Sequence, residues 1–307
     1  MLQNIITVAE QVLILFILIG LGFTAGKTKL INNPVASGMT NVVLYFVTPC
    51  VIVNSFQRDY DPNMLQGLLI AVVAALASHG ISILLAHLLV RDKKDAKQRV
   101  LRFSVVFSNC GFMSLPLQQA LLGADGVFYG AAYIAIFNIL GWSYGVAIMS
   151  QDSKLSLKKI LLNPGVISVA IGIIIFFTSY RFPNVIGSPI TYMAALNTPI
   201  PMFLIGFHLS QAKLSTVLTD LKCYWVMALR LILSPLISLG IFYIFGLRGT
   251  VLVACMIAVC APVAAMATMF ADKFGQDTET SVGLVSISTL LSIITMPIIV
   301  GLTQTLA

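Results

Sequence analysis

Long apolar runs occupy almost the whole chain, and the short connections between them hold most of the charged residues. Each run is close to the roughly 20 residues that a helix needs to cross the hydrocarbon core of a bilayer. The pattern predicts ten membrane-spanning helices. Their approximate bounds are Val8–Gly26, Ala36–Phe56, Met64–Val90, Val100–Leu122, Gly126–Ser150, Pro164–Tyr180, Ser188–Ser210, Cys223–Phe245, Thr250–Phe274 and Glu279–Gly301.

Composition supports this pattern. Of the 307 residues, 58% are hydrophobic and only 9% are charged, whereas a soluble domain carries about a quarter charged residues. A soluble enzyme, a nucleic-acid-binding protein and a disordered chain are therefore disfavoured. The five cysteines lie in or beside apolar runs without CxxC spacing, so we expect buried thiols and neither a disulfide framework nor a metal site.

Lysine and arginine residues are distributed unevenly between alternate connections. Fourteen of the eighteen lie in one set of connections and three, Arg58, Arg181 and Arg248, lie in the other; Arg230 falls inside the eighth span. Cytoplasmic loops carry such an excess of positive charge. The split predicts a multi-pass protein of the cell membrane with both termini on the outer side, and it explains the net charge of +7 without a nucleic-acid partner.

The spans divide into two halves of five, residues 1–150 and 151–307. Thr48-Pro49 recurs as Thr198-Pro199, and Cys110-Gly111 corresponds to Cys260-Ala261, both at an offset of 150. Because five is odd, the halves have opposite orientations in the membrane. The sequence therefore predicts an all-α fold of two inverted five-helix repeats, the usual plan of secondary transporters.

Two of the spans contain residues that interrupt helices. The fourth holds Ser108, Asn109, Cys110, Gly111, Ser114 and Pro116, and the ninth holds Ala261, Pro262 and Val263. Proline lacks an N–H and clashes with the preceding turn, so both helices are expected to open at mid-depth. Freed backbone groups there must line a cavity or meet a partner. A single proline kink usually serves helix packing, but a matched pair of broken helices favours a transport site.

An opened helix exposes a half-helix N-terminus, whose N–H groups and positive dipole end attract anions. Two crossed half-helices would offer this from both directions, so an anionic group, most simply a carboxylate, is the favoured ligand. The Asn109 amide can hold a carboxylate oxygen or coordinate a cation, and its chemistry does not decide between them.

The chain resembles the auxin efflux carrier family of membrane transporters over essentially its whole length. The resemblance is carried by Asn41 to Pro49, by the Ser108-to-Pro116 segment, by Pro262, and by Ser288 to Pro297 in the tenth span.

The resemblance implies that spans four and nine are unwound and cross at the substrate. It implies a scaffold of spans 1, 2, 6 and 7 beside a moving domain of spans 3–5 and 8–10, an elevator mechanism and a homodimer. It assigns Asn109 to substrate contact and Pro116 and Pro262 to the crossing. Family substrates are organic anions, including auxin and carboxylates. Plant exporters often carry a long hydrophilic central loop, whereas Gln151 to Asn163 is short here, which favours a bacterial-type member with a small carboxylate substrate.

Four further polar residues lie within predicted spans. Arg230 is a substrate counter-charge, part of an internal pair, or a side chain that extends to the surface. His79 either titrates and couples transport to protons or is a neutral, bonded core histidine. Ser288 and Ser292 share one helical face, and such a stripe packs helices more often than it supplies sodium ligands.

The sequence thus predicts a secondary transporter for a small organic anion, without a cofactor. Sodium- or proton-coupled symport is the alternative. An intramembrane enzyme is disfavoured because GxSxG and HExxH are absent and no close Asp pair lies in a span. A channel is disfavoured because there is no charged ring or filter-like repeat.

Overall fold

A computed structural model describes residues 2–150, 158, 161–212 and 215–307. Lys154, Lys159, Lys213 and most of the short central connection lie outside the described residues. The described residues are helical throughout apart from turns and one isolated antiparallel bridge, which confirms the all-α class. Seven of their helices are long and apolar enough to cross a membrane, and two shorter apolar helices accompany them.

We number the helices in chain order. They are α1 (Leu2–Lys27), α2 (Asn33–Phe56), α3 (Pro62–Leu89), α4 (Asp95–Val106), α5 (Cys110–Met149), α6 (Pro164–Thr178), α7 (Asn184–Gln211), α8 (Ser215–Leu218), α9 (Leu221–Ile244), α10 (Gly249–Val259), α11 (Met266–Lys273) and α12 (Thr278–Leu306).

The long helix α5 folds back on itself at Gly123. This residue has a φ of 65°, which only glycine adopts readily. A Cβ on Gly130 would lie 2.1 Å from Oε1 of Gln118, although a straight helix would separate residues 118 and 130 by about 18 Å. The segments on either side of Gly123 therefore pack against each other as an antiparallel pair.

Three helices contain a five-residue π segment that ends two residues before a proline. These segments are Val43–Val47 before Pro49, Cys110–Ser114 before Pro116, and Leu229–Leu233 before Pro235. A proline in a regular helix lacks one hydrogen bond and clashes with the carbonyl four residues earlier. The wider π turn relieves that clash, so the helix continues through the proline.

Contacts between connections fall into two groups. In one group, Lys222 pairs with Asp92 at 2.7 Å, Lys97 pairs with Asp220, and Gln276 donates to the Met149 carbonyl. In the other group, Arg58 pairs with Asp125 at 2.6 Å, Arg181 pairs with Asp59, and the Tyr60 N–H donates to Ser179. The connections thus gather at two separate ends of the helix bundle.

Helices α1 and α7 pack with their backbones close together. A Cβ on Gly22 would lie 1.9 Å from the Phe203 carbonyl oxygen, and one on Gly206 would lie 1.9 Å from the Ile19 carbonyl oxygen. A small cluster of buried side chains, separate from the main core, joins α2 and α7: Ala36, Val43, Val47, Leu204 and Phe207. The half-buried side chain of Phe112, near the start of α5, packs against this cluster.

Candidate functional site

Two interrupted helices meet in the buried interior of the fold. The first interruption, Phe107–Asn109, lies between α4 and α5, and the second, 260–265, lies between α10 and α11. Ser108 and Val263 face each other as an antiparallel bridge. On either side of this bridge, the Asn109 N–H donates to the Pro262 carbonyl at 2.8 Å and the Ala264 N–H donates to the Phe107 carbonyl at 3.0 Å. Each break thus satisfies backbone groups of the other.

The two breaks differ in length and in how the following helix begins. Cys110 begins α5, whereas Cys260 follows the end of α10. The second break is also longer, because Pro262 lies within it while Pro116 lies inside a continuous helix after a π segment.

The N-terminus of α5 is capped by Asn109. Its Oδ1 accepts a hydrogen bond from the Phe112 N–H at 3.4 Å, and the side chain is 95% buried, with a relative exposure of 5%. The Cys110 N–H donates to the Ser108 carbonyl at 2.8 Å. The amide oxygen caps the helix with one of its two lone pairs, and the amide NH2 can donate to a ligand.

The second break is held by the tenth predicted span. The Val263 N–H donates to Oγ of Ser288 at 3.1 Å, and Ser288 in turn donates to the Val285 carbonyl. Ser292 donates to the Thr289 carbonyl at 2.6 Å. Both hydroxyls are therefore engaged inside the protein in this conformation, and Ser288 positions the backbone of the break.

Arg230 joins the ends of α4 and α10, where the two breaks begin. It is 1% exposed, and its guanidinium donates to Ala261 (3.2 Å), Val105 (3.0 Å), Val106 (3.5 Å) and, in addition, Val259, all at carbonyl oxygens. These carbonyls belong to the C-terminal ends of α4 and α10 and to the break that follows α10. Of the readings offered by the sequence, extension to the surface is therefore wrong, because the guanidinium is enclosed by carbonyls that replace water.

His79 lies beside the first break. Its ring is 6.0 Å from that of Phe107 and 5.1 Å from that of Tyr133, measured between centroids. Nδ1 lies 2.7 Å from the Ala75 carbonyl oxygen. A carbonyl only accepts, so Nδ1 carries a proton, and in the neutral ring Nε2 holds a lone pair. That Nε2 atom is buried without a hydrogen-bond partner among the described residues, as is the Ser108 hydroxyl.

Two polar side chains fasten the start of α5 to α10. Ser114 donates to the Ile257 carbonyl at 3.2 Å, and Gln118 donates to the Ala254 carbonyl at 2.8 Å. Gln118 was not singled out from the sequence. Its only signal there is a glutamine in an apolar run, and the glycine that admits it, Gly130, is twelve residues away.

The structure therefore brings most of the predicted site residues together. Ser108, Asn109, Cys110, Gly111, Ala261, Pro262 and Val263 form the crossing, with Arg230, His79 and Ser288 around it. Gly111, Phe112, Ala265 and Met266 are half-buried, while the rest of the crossing is buried. Among the described residues, no group of three His, Cys, Asp or Glu side chains is placed to hold a metal ion.

Two cavities lie at opposite ends of the bundle. One, of about 370 Å³, is lined by residues that include His87, Arg99, Arg102 and Tyr144. The other, of about 340 Å³, is lined by residues that include Asn54, Gln57, Arg181 and Thr191. Neither is lined by a residue of the two breaks.

Comparisons with known proteins give matches over nearly the whole chain. The sequence model of a family described as "Membrane transport protein" matches residues 7–157 and 151–300. The chain is 24% identical over 296 residues to an uncharacterized transporter of Methanothermobacter thermautotrophicus, with 94% of this chain and 96% of the relative covered. It is 22% identical over 299 residues to an uncharacterized transporter of Methanocaldococcus jannaschii, with 93% and 95% covered. The family match extends over both halves, and the chain belongs to the membrane transport protein family of the auxin efflux carriers.

Proposed function

We propose that this protein is a secondary transporter that moves a small organic anion, such as a carboxylate, across the cell membrane. The observation that carries the proposal is the crossing of the two interrupted helices at Ser108 and Val263. Non-helical backbone at membrane depth is tolerated where it lines a cavity or is buried in protein. In transporters, such breaks form the substrate site.

The chemistry of the crossing favours an anion. Helices α5 and α11 begin here, and helix N-termini attract negative charge. The amide NH2 of Asn109 adds a side-chain donor, since its oxygen caps α5. A carboxylate lying against Gly111 and Ala265, the half-buried residues at these N-termini, would meet donors from both helices.

Ten membrane crossings in two inverted repeats belong to the same proposal. The hairpin at Gly123 divides α5 into two crossings, and α4 and α10 each continue through a break to complete one crossing. The two groups of connections then lie on opposite sides of the membrane. The lysine-rich group, with Lys97 and Lys222, would face the cytoplasm, and both termini would lie outside.

An elevator mechanism would move the crossing relative to a scaffold of predicted spans 1, 2, 6 and 7. The separate cluster between α2 and α7 supports such a scaffold, and the packing of Phe112 against this cluster supports a substrate site at its edge. A homodimer through this scaffold completes the proposal. Native mass spectrometry of the protein in nanodiscs tests it, because a monomer would contradict it.

Flux into liposomes tests the function. We expect purified protein to take up labelled carboxylate with saturable kinetics and to show counterflow when unlabelled carboxylate is trapped inside. Uptake that does not saturate would indicate a channel, and a chemically altered product would indicate an enzyme. A thermal-shift screen of small carboxylates identifies the substrate, because a ligand that binds the folded state stabilises it.

Proton-coupled symport is the second candidate. It is favoured by the unpartnered Nε2 of His79, a proton acceptor beside the first break. Uptake driven by an inward pH gradient at zero membrane potential would support it, and uptake that follows the membrane potential alone would support a uniporter. Sodium coupling has less support, because the Ser288 and Ser292 hydroxyls already bond within the protein.

A further inference from the structure

We infer that the substrate is a univalent carboxylate, because Arg230 and the four helix ends at the crossing together supply close to one positive charge; this inference rests on the proposed function. The argument depends on where the guanidinium lies, on which other charges are near it, and on the sign of each helix end.

Among the described residues, Arg230 bonds to carbonyls at or just beyond helix C-termini. Its carbonyl partners are Val105 and Val106 at the end of α4, Val259 at the end of α10, and Ala261 just beyond it. A helix C-terminus carries about half a negative charge. Two such ends sum to about one negative charge, which the single positive charge of the guanidinium offsets.

The remaining two helix ends at the crossing are N-termini. Helix α5 begins at Cys110 and α11 begins at Met266. Each N-terminus carries about half a positive charge, so together they present about one. With Arg230 the site therefore has a surplus near one positive charge, and without it the four ends would sum to about zero.

The count takes His79, beside the first break, as the neutral imidazole, and the Asp, Glu and Lys residues and the other Arg residues do not change it. In the described part of the chain, Arg230 is the only Asp, Glu, Lys or Arg residue that is buried. Tyr133, Cys110 and Cys260, which interact electrostatically with Arg230, are neutral in their ordinary protonation states. A univalent anion would bring the site close to neutrality. A divalent anion would leave a buried, unpaired negative charge, which proteins tolerate poorly.

Ligands of matched size distinguish the effect of ligand charge on binding from the effect of ligand shape. Succinate carries two charges at pH 7.5, succinamate carries one, and succinamide carries none, and the three have nearly the same size. Malonate and malonamate form a second pair. With the full-length protein in nanodiscs we expect succinamate or malonamate to bind, and the matched dianion to bind at least about 30-fold more weakly. Binding is measured by thermal shift, and transport by electrogenic flux in proteoliposomes.

The outcomes distinguish the inference from the proposed function. Equal or tighter binding of the dianions would overturn the inference while leaving an organic-anion transporter in place. If no carboxylate of either valence bound better than succinamide, the proposed function and the inference would both fail.

Variants of Arg230 test whether this residue sets the preference. Arg230→Gln removes the charge, and Arg230→Lys keeps the charge while losing the guanidinium fork. We expect the ratio of succinamate to succinamide affinity to fall at least about tenfold in the Gln variant and to stay within about threefold of wild type in the Lys variant. Arg248→Gln, at an exposed arginine, is the matched control and should leave the ratio unchanged.

If the role of Arg230 were purely structural, both variants would bind ligands more weakly, but their ratios of succinamate to succinamide affinity would not differ. Equal ratios in the Gln and Lys variants would therefore count against the electrostatic role. If the Gln variant does not fold, the Lys variant and the wild-type ligand pairs still decide the question.

Discussion

Ser108 and Val263, which are 155 residues apart in the chain, lie opposite each other as an antiparallel bridge between two broken helices. The flanking bonds, from Asn109 to Pro262 and from Ala264 to Phe107, leave little of the broken backbone without a partner. The crossing is thus a compact bonded unit, and the groups that remain for a ligand are few enough to test one at a time.

Asn109 is the first of these groups. Asn109→Asp keeps an oxygen that can cap α5 but replaces the amide NH2 with negative charge, so we expect anion binding to weaken by at least about 100-fold. Asn109→Ala should weaken binding less and lower the unfolding free energy by about 1 kcal/mol through loss of the cap. Binding is measured by thermal shift with the carboxylate identified in the screen. If Asn109→Asp bound the carboxylate with wild-type affinity, Asn109 would not be part of the binding site.

Because the backbones of α1 and α7 lie close together, we expect substitutions that add a side chain at their contact to destabilise the protein. A Cβ at position 22 would overlap the Phe203 carbonyl, so we expect Gly22→Ala to lower the unfolding free energy by about 2 kcal/mol. Gly20, on the same helix, has no atom within 4 Å of the equivalent position, so Gly20→Ala is the matched control. Thermal unfolding in one detergent compares the two variants. Equal melting temperatures would show that α1 and α7 are further apart than described.

The Lys97–Asp220 pair predicts a pH-dependent contribution to stability. Burial alone would raise the pKa of Asp220, but hydrogen bonds from the Lys97 ammonium and the Lys222 N–H outweigh it, so the pKa is lowered overall. The hydrogen bond to Asp220 raises the pKa of Lys97. The stability from the lowered carboxyl pKa is present above about pH 4 and is lost as pH falls through the folded value. The stability from the raised ammonium pKa is present below about pH 10.5 and is lost above it.

Asp220→Asn should therefore lower the unfolding free energy by about 1 kcal/mol between pH 5 and 9, and the difference from wild type should shrink below about pH 4. Asparagine keeps the oxygen that caps α9, so loss of the cap does not confuse the result. Asp59→Asn removes the same charge from a widely exposed pair and is the control. A pH-independent difference between wild type and Asp220→Asn would contradict this account.

The proposed orientation predicts which positions an impermeant thiol reagent reaches in whole cells. Cys50 is the only cysteine of the five that is not fully buried, so it is first replaced by alanine. In that background, Ala124→Cys at the α5 hairpin should react from outside. Lys93→Cys should react only after the membrane is permeabilised. Both positions are exposed in the structure, which makes them a matched pair. The reverse labelling pattern would invert the topology.

Sequence patterns predicted the helical class and the neighbourhood of both breaks, because proline, glycine and apolar run length act locally. The bonding of Arg230 could not be predicted in this way. Its partners near Val105 lie about 125 residues away, and a lone arginine in an apolar run is equally consistent with a counter-charge or an internal pair. Gln118 was missed for the same reason. The unequal lengths of the breaks, three and six residues, could not be predicted either, because they depend on contacts between the two segments.

The bonds between the two breaks also determine when the first half can be completed during synthesis. The Asn109 N–H and the Phe107 carbonyl need Pro262 and Ala264, which the ribosome adds about 150 residues later. Until then these groups have no permanent partner at a depth where lipid supplies none. The nascent first half therefore has incompletely hydrogen-bonded backbone within the bilayer. Truncation before residue 262 should leave a fragment that membrane proteases remove.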